Sequence, residues 1–141
     1  MTPPISRRDR TPDPVRDHLR EVRRGLLRLH KALIDAERAT WERQGDGPVT
    51  NGAFLQALIQ DPYFAWLRPF SGLIVEIDEV LAAREPLARP QASAYVERVR
   101  ALVQPAGEEA EHYERVRQRA PEVLLAHVEL EARIDAAPDA V

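Results

Sequence analysis

A chain of 141 residues with 44% apolar side chains and a net charge of −3 has room for one core, not two. The near-neutral charge argues against a strongly basic nucleic-acid binder, and no apolar run approaches the ~18 residues of a membrane span. Zero cysteines remove disulfides, thiol nucleophiles and cysteine-ligated zinc together, and with no apolar leader after the early arginines a cytoplasmic address is expected.

From Met1 to Pro12 the chain carries three prolines, three arginines and, beyond Met1, one apolar side chain, Ile5. Such a segment buries too little to offset its ordering entropy, so residues 1–12 read as a flexible Pro/Arg-rich arm. One domain is expected over 13–135, with a frayed tail at 136–141. Its first element is the clearest. Asp13 can cap a helix, Pro14 fits the first turn, and Gly45-Asp46-Gly47-Pro48 ends it. Leu19, Val22, Leu26, Leu29, Leu33, Ala36 and Thr40 repeat at spacings of three and four, and a second seam of Leu27, His30, Ile34, Glu37 and Trp41 runs beside them. Two adjacent seams make a wide apolar face that can touch two neighbours. Gly25, inside this helix, costs about 1 kcal/mol of helix propensity and marks a close approach of another element.

Thr50 or Asn51 can cap a short helix carrying Phe54, Leu55, Leu58 and Ile59, which Asp61-Pro62 stops and restarts. Tyr63, Trp66, Phe70, Leu73, Ile77 and Val80 then keep the three-four step across Pro69, predicting a kink or a short helix followed directly by a long one. Pro69 disfavours a helical Arg68, so Arg68 is expected outside regular helix, free to project toward Glu76 or Glu37. Leu87–Pro90 reads as a linker and Gln91–Val103 as an amphipathic helix. After Pro105-Ala106-Gly107 the pattern resumes through Tyr113, Val116, Ala120, Val123, His127, Leu130 and Ile134, with Pro121 kinking or splitting it. Twenty alanines and fifteen leucines favour helix, and no stretch alternates as a half-buried strand would. The expected fold is therefore all-α: an antiparallel bundle of three or four long helices with short connecting helices.

Motifs that carry chemistry are sparse. Di-iron bundles use two Glu-x-x-His turns, because residues three apart project toward the same ions. This chain has one, Glu109-Ala110-Glu111-His112, in an acidic stretch that suits a helix start. Four histidines cannot complete a hemerythrin-like set, and no metal or cofactor is expected. None of the three serines lies in a Gly-x-Ser-x-Gly elbow, and no glycine-rich phosphate loop exists. Catalysis finds little support. His30 and His127 sit in largely apolar seams, where a histidine is ordinarily packed and bonded to a carboxylate or carbonyl; Asp78 and Glu37 are the available partners. The competing reading is a small-ligand or metal-binding pocket near His30, Trp66 and Asp78, with Glu37, Trp41, Arg68 and His127 as further candidates.

Arg7–Arg28 carries eight arginines against four acids, whereas residues 49–141 carry nine arginines against fifteen. Such asymmetry can steer an acidic partner or a second copy of the chain. Nucleic acid is disfavoured, since no aromatic side chains interleave the basic stretch.

The strings Leu29-His30-Lys31-Ala32-Leu33-Ile34-Asp35-Ala36-Glu37-Arg38 and Asp61-Pro62-Tyr63-Phe64-Ala65-Trp66-Leu67-Arg68-Pro69-Phe70-Ser71 resemble a group of short bacterial helical proteins. The similarity continues through Ile74-Val75-Glu76-Ile77-Asp78-Glu79 and spans roughly residues 15–134. It implies a helical fold and carries no activity, cofactor or site residue. The expected function is a non-catalytic helical module acting through a protein partner or self-association.

Overall fold

The structure is a computed structural model that describes residues 13–136 and 138; the expected arm at 1–12 and most of the 136–141 tail lie outside them. The described residues form six α-helices and one 3-10 helix, with no strand. These are α1 (Pro14–Gln44), α2 (Asn51–Gln60), the 3-10 helix (Pro62–Leu67), α3 (Arg68–Ala82), α4 (Arg89–Val103), α5 (Glu108–Arg119) and α6 (Pro121–Asp135).

Proline explains most of these starting points. Pro14, Pro62, Pro69, Pro90 and Pro121 each sit in the first turn of their helix, where the missing N–H has no intrahelical partner to lose. The same prolines correct the expected lengths. Only α1 is long, at 31 residues, and the other α-helices run 10 to 15 residues. Pro90 opens α4 instead of ending a linker, so that helix starts at Arg89. Pro69 does not exclude Arg68 from helix: Arg68 has φ −61° and ψ −38°, where the 3-10 turn passes directly into α3. The steric penalty before proline is offset there by an Arg68 Nη2 bond to the Asp61 carbonyl (2.9 Å) and a Ser71 Oγ bond to the Arg68 carbonyl (3.1 Å).

The central element is α1, which packs against the 3-10 helix, α3, α4, α5 and α6. Asp13 caps it by accepting from the Arg16 N–H at 3.0 Å. Its first seam is the core: Leu19, Val22, Leu26, Leu29 and Leu33 are fully buried and meet Phe64, Leu67, Phe70, Leu73, Ile77, Val99, Val116, Val123 and Leu130. Leu27, at the start of the second seam, is exposed. At its far end, Arg38 and Glu42 hold the following loop. Arg38 donates to the Val49 carbonyl and Asn51, while Glu42 accepts from the Val49 N–H.

Gly25 confirms a close approach. A Cβ there would lie 2.9 Å from Leu130 Cδ1 and 3.4 Å from Leu130 Cα, so α6 rests on the bare backbone of α1. Arg28 pairs with Glu129 and Arg133 reaches the Glu21 carbonyl, which sets α6 antiparallel to the first half of α1.

Candidate functional site

Two polar clusters lie inside this helical frame. The first is built on Glu37, which is fully buried on α1. Its Oε1 accepts from Arg119 Nη2 at 2.8 Å and from the Tyr63 hydroxyl at 3.4 Å. Its Oε2 accepts from Trp66 Nε1 at 3.0 Å and from His112 Nε2 at 2.8 Å. A carboxylate has about four acceptor sites, and four protein donors occupy them here. Because a carboxylate oxygen carries no proton, His112 must hold one on Nε2. Burial and the Glu37 charge raise the Tyr63 phenol above its ordinary range, keeping it a donor. The donors come from the 3-10 helix and from both ends of α5, so one carboxylate ties these elements to α1.

The second cluster centres on His127 of α6, only 3% exposed. The Tyr113 hydroxyl lies 2.7 Å from Nδ1, and Glu131 Oε1 lies 2.6 Å from Nε2. Arg117 Nη1 lies 2.9 Å from the same Nε2, so that nitrogen faces both a donor-only guanidinium and an acceptor-only carboxylate, while the Tyr113 hydroxyl holds Nδ1 on the other side of the ring. Arg117 stacks over the Tyr113 ring and pairs with Glu114, and its Nε is buried without a partner. Burial lowers the His127 pKa and raises that of Tyr113 well above its ordinary value, so both stay neutral.

The remaining candidates are dispersed. His30 is stacked on Phe70, with ring centroids 6.1 Å apart and planes within 6°. Asp78 pairs with Arg23 rather than with His30. Trp66 meets the edge of Phe70 from another side. His30 lines a cavity of about 250 Å³ with Leu58, Ile59, Leu67, Arg68 and Ser71, whereas Trp66 lines a separate cleft of about 320 Å³. Asp78 lines neither. Trp41 packs on Phe54 and Phe64, and Arg68 reaches the Asp61 carbonyl rather than Glu76 or Glu37. Of the seven candidates the structure therefore brings Glu37 and Trp66 into direct contact and sets His127 in a cluster of its own.

Tyr63, His112 and Arg119 are the site residues that sequence reasoning missed. The signal available was Glu37 itself, a carboxylate inside an apolar seam, which demands donors from elsewhere. Its donors could not be named because they come from segments 26 to 82 residues away. Among the described residues no group of three or more His, Asp or Glu side chains is placed to hold a metal ion, and no helix is long and apolar enough to cross a membrane. Compared with protein-family models, curated proteins and solved structures, the chain finds no match.

Proposed function

We propose that this protein is a non-catalytic helical module that acts by association, pairing with a second copy of itself through the outer face of α6. The observation that carries this reading is the apolar stripe on that helix. Leu124, Leu125 and Val128 are about half exposed, at 48%, 57% and 54%, with Val128 one turn of helix beyond the two leucines. Pro121 and Ala132 extend the same exposed face. Four further large apolar side chains, Leu27, Leu55, Ile59 and Val75, are exposed but spread over three helices. A contiguous stripe on one straight helix suits a two-fold contact, in which the same surface meets itself.

Charge supports the choice of a second copy, since the sequence sets a basic Arg7–Arg28 stretch against an acidic 49–141 stretch. The absence of catalysis is supported by the two buried clusters, whose carboxylate and phenol are committed to internal partners. Light scattering on the purified chain tests the reading. The expected mass is twice 16.0 kDa, and a Leu125→Glu, Val128→Glu double variant should return to one chain with its helical circular dichroism unchanged. A monomeric wild type, or a double variant that keeps the wild-type mass, would sink the proposal.

A further inference from the structure

A cleft of about 320 Å³ opens between the 3-10 helix and the start of α5, lined by Tyr63, Trp66, Glu108, Glu109, His112 and Arg115. Its aromatic walls are fixed from beneath. The Tyr63 hydroxyl, the Trp66 indole N–H and His112 Nε2 all turn inward onto the one buried carboxylate of Glu37. With those polar atoms committed, Tyr63 and Trp66 offer the cleft carbon and π surface, and His112 adds the rest of its ring, including Nδ1. Trp66 and His112 stand at 84° with centroids 5.0 Å apart, which makes a corner rather than a flat wall. The rings cannot turn without breaking a bond to Glu37, so the surface is organised before any ligand arrives.

The charged side chains of this corner are not neutralised by ion pairs. Among the described residues Glu108, Glu109 and Arg115 form no ion pair, as is also true of several other surface charges. Glu108, Glu109 and Glu111 share the first turn of α5, where acids offset the helix dipole. Glu111 is not among the cleft residues, so only the first two add their charge to the aromatic corner.

From this juxtaposition we propose that the cleft binds a small organic ammonium ion, held against the Trp66 and Tyr63 rings and balanced by Glu108 and Glu109. Ring faces attract a cation through their quadrupole, and two carboxylates against one guanidinium leave the rim net negative. This goes beyond association through α6, which lies on another face and uses none of these residues.

The test is a calorimetric titration of the full chain with tetramethylammonium chloride at constant ionic strength, with tert-butanol as the neutral isostere. The Trp66 indole N–H resonance serves as a local reporter. One-to-one saturation is expected, with tert-butanol weaker by about tenfold or more and the Trp66 resonance shifting in step with the heat. The Glu108→Gln, Glu109→Gln double variant, whose side chains are exposed and make no internal bond, should weaken binding by about tenfold. Arg115→Gln, which makes the rim more negative, should tighten it. Saturation that is missing, that tert-butanol matches, or that survives the double glutamine variant unchanged would each overturn the proposal.

Discussion

Among the described residues Glu37 and His127 are the two polar or charged side chains buried in this core, and they use their partners differently. Glu37 collects donors from the 3-10 helix and from both ends of α5, separated from it by 26 to 82 residues. His127 takes its partners from within 14 residues, on its own helix and on α5 immediately before it. The first is a charge whose neighbours can be assembled only by the complete fold. The second is a neutral ring that secures one corner, where Pro121 divides α5 from α6. Burial costs a charge far more than a neutral ring, so the charge has to be surrounded more completely.

The largest expected effect follows from that difference. Glu37→Ala should lose about 3 kcal/mol in urea denaturation, the low end for an orphaned buried pair, because Arg119 and His112 each reach water. A loss below about 1 kcal/mol would put the two clusters on the same footing and break the comparison. Trp66→Phe keeps most of the ring and removes one of the four donors, so about 2 kcal/mol is expected by the same assay. Tyr113→Phe should cost less, about 1 kcal/mol, by leaving His127 Nδ1 without its partner. Its consequences should stay local, with hydrogen exchange accelerated in α5 and α6 but not in α3.

The smallest effect is a pH dependence that sharpens the neutral character of the histidine cluster. Burial lowers the pKa of both His127 and His30 below the ordinary 6.5. The unfolded chain therefore takes up protons first as pH falls, so stability is full above about 6.5 and declines below it until the folded-state values are passed. Glu131 opposes this shift at His127, while Arg117 reinforces it. His127→Gln should flatten part of the decline in melting temperature between neutral pH and pH 5, and an unchanged slope would remove His127 from the account.

Much of the fold was legible because it is written locally. The Asp13 cap, the three-four seam from Leu19 to Leu33, the Asp61-Pro62 restart and the break at Pro121 all depend on neighbours within one or two turns. Helix lengths were less legible, since a seam can continue across a proline while the backbone starts anew, as at Pro69. Within the candidate site, Glu37 and Trp66 stood out as residue types out of place or large. The Glu37 partners His112 and Arg119 did not, for each sits in a charged stretch that reads as a solvated helix. Asp78 illustrates the limit from the other side: helix position made it available to His30, but Arg23, a full charge one helix away, takes it instead.

The seating of α6 on Gly25 has a consequence for how the chain is made. The first half of α1 is synthesised well before the helix that closes over it, which begins only at Pro121, roughly 75 residues after α1 ends. At ~5–20 residues per second, that interval lasts several seconds. During it the backbone at Gly25 stays uncovered until Leu130 arrives. Non-local closure of this kind makes folding slower than helix content alone would indicate. A nascent chain halted before α6 would present α1's apolar stripe to chaperones and to other unfinished chains, so arrest of synthesis in the α4–α5 region is the moment at which this protein is most exposed to misassembly.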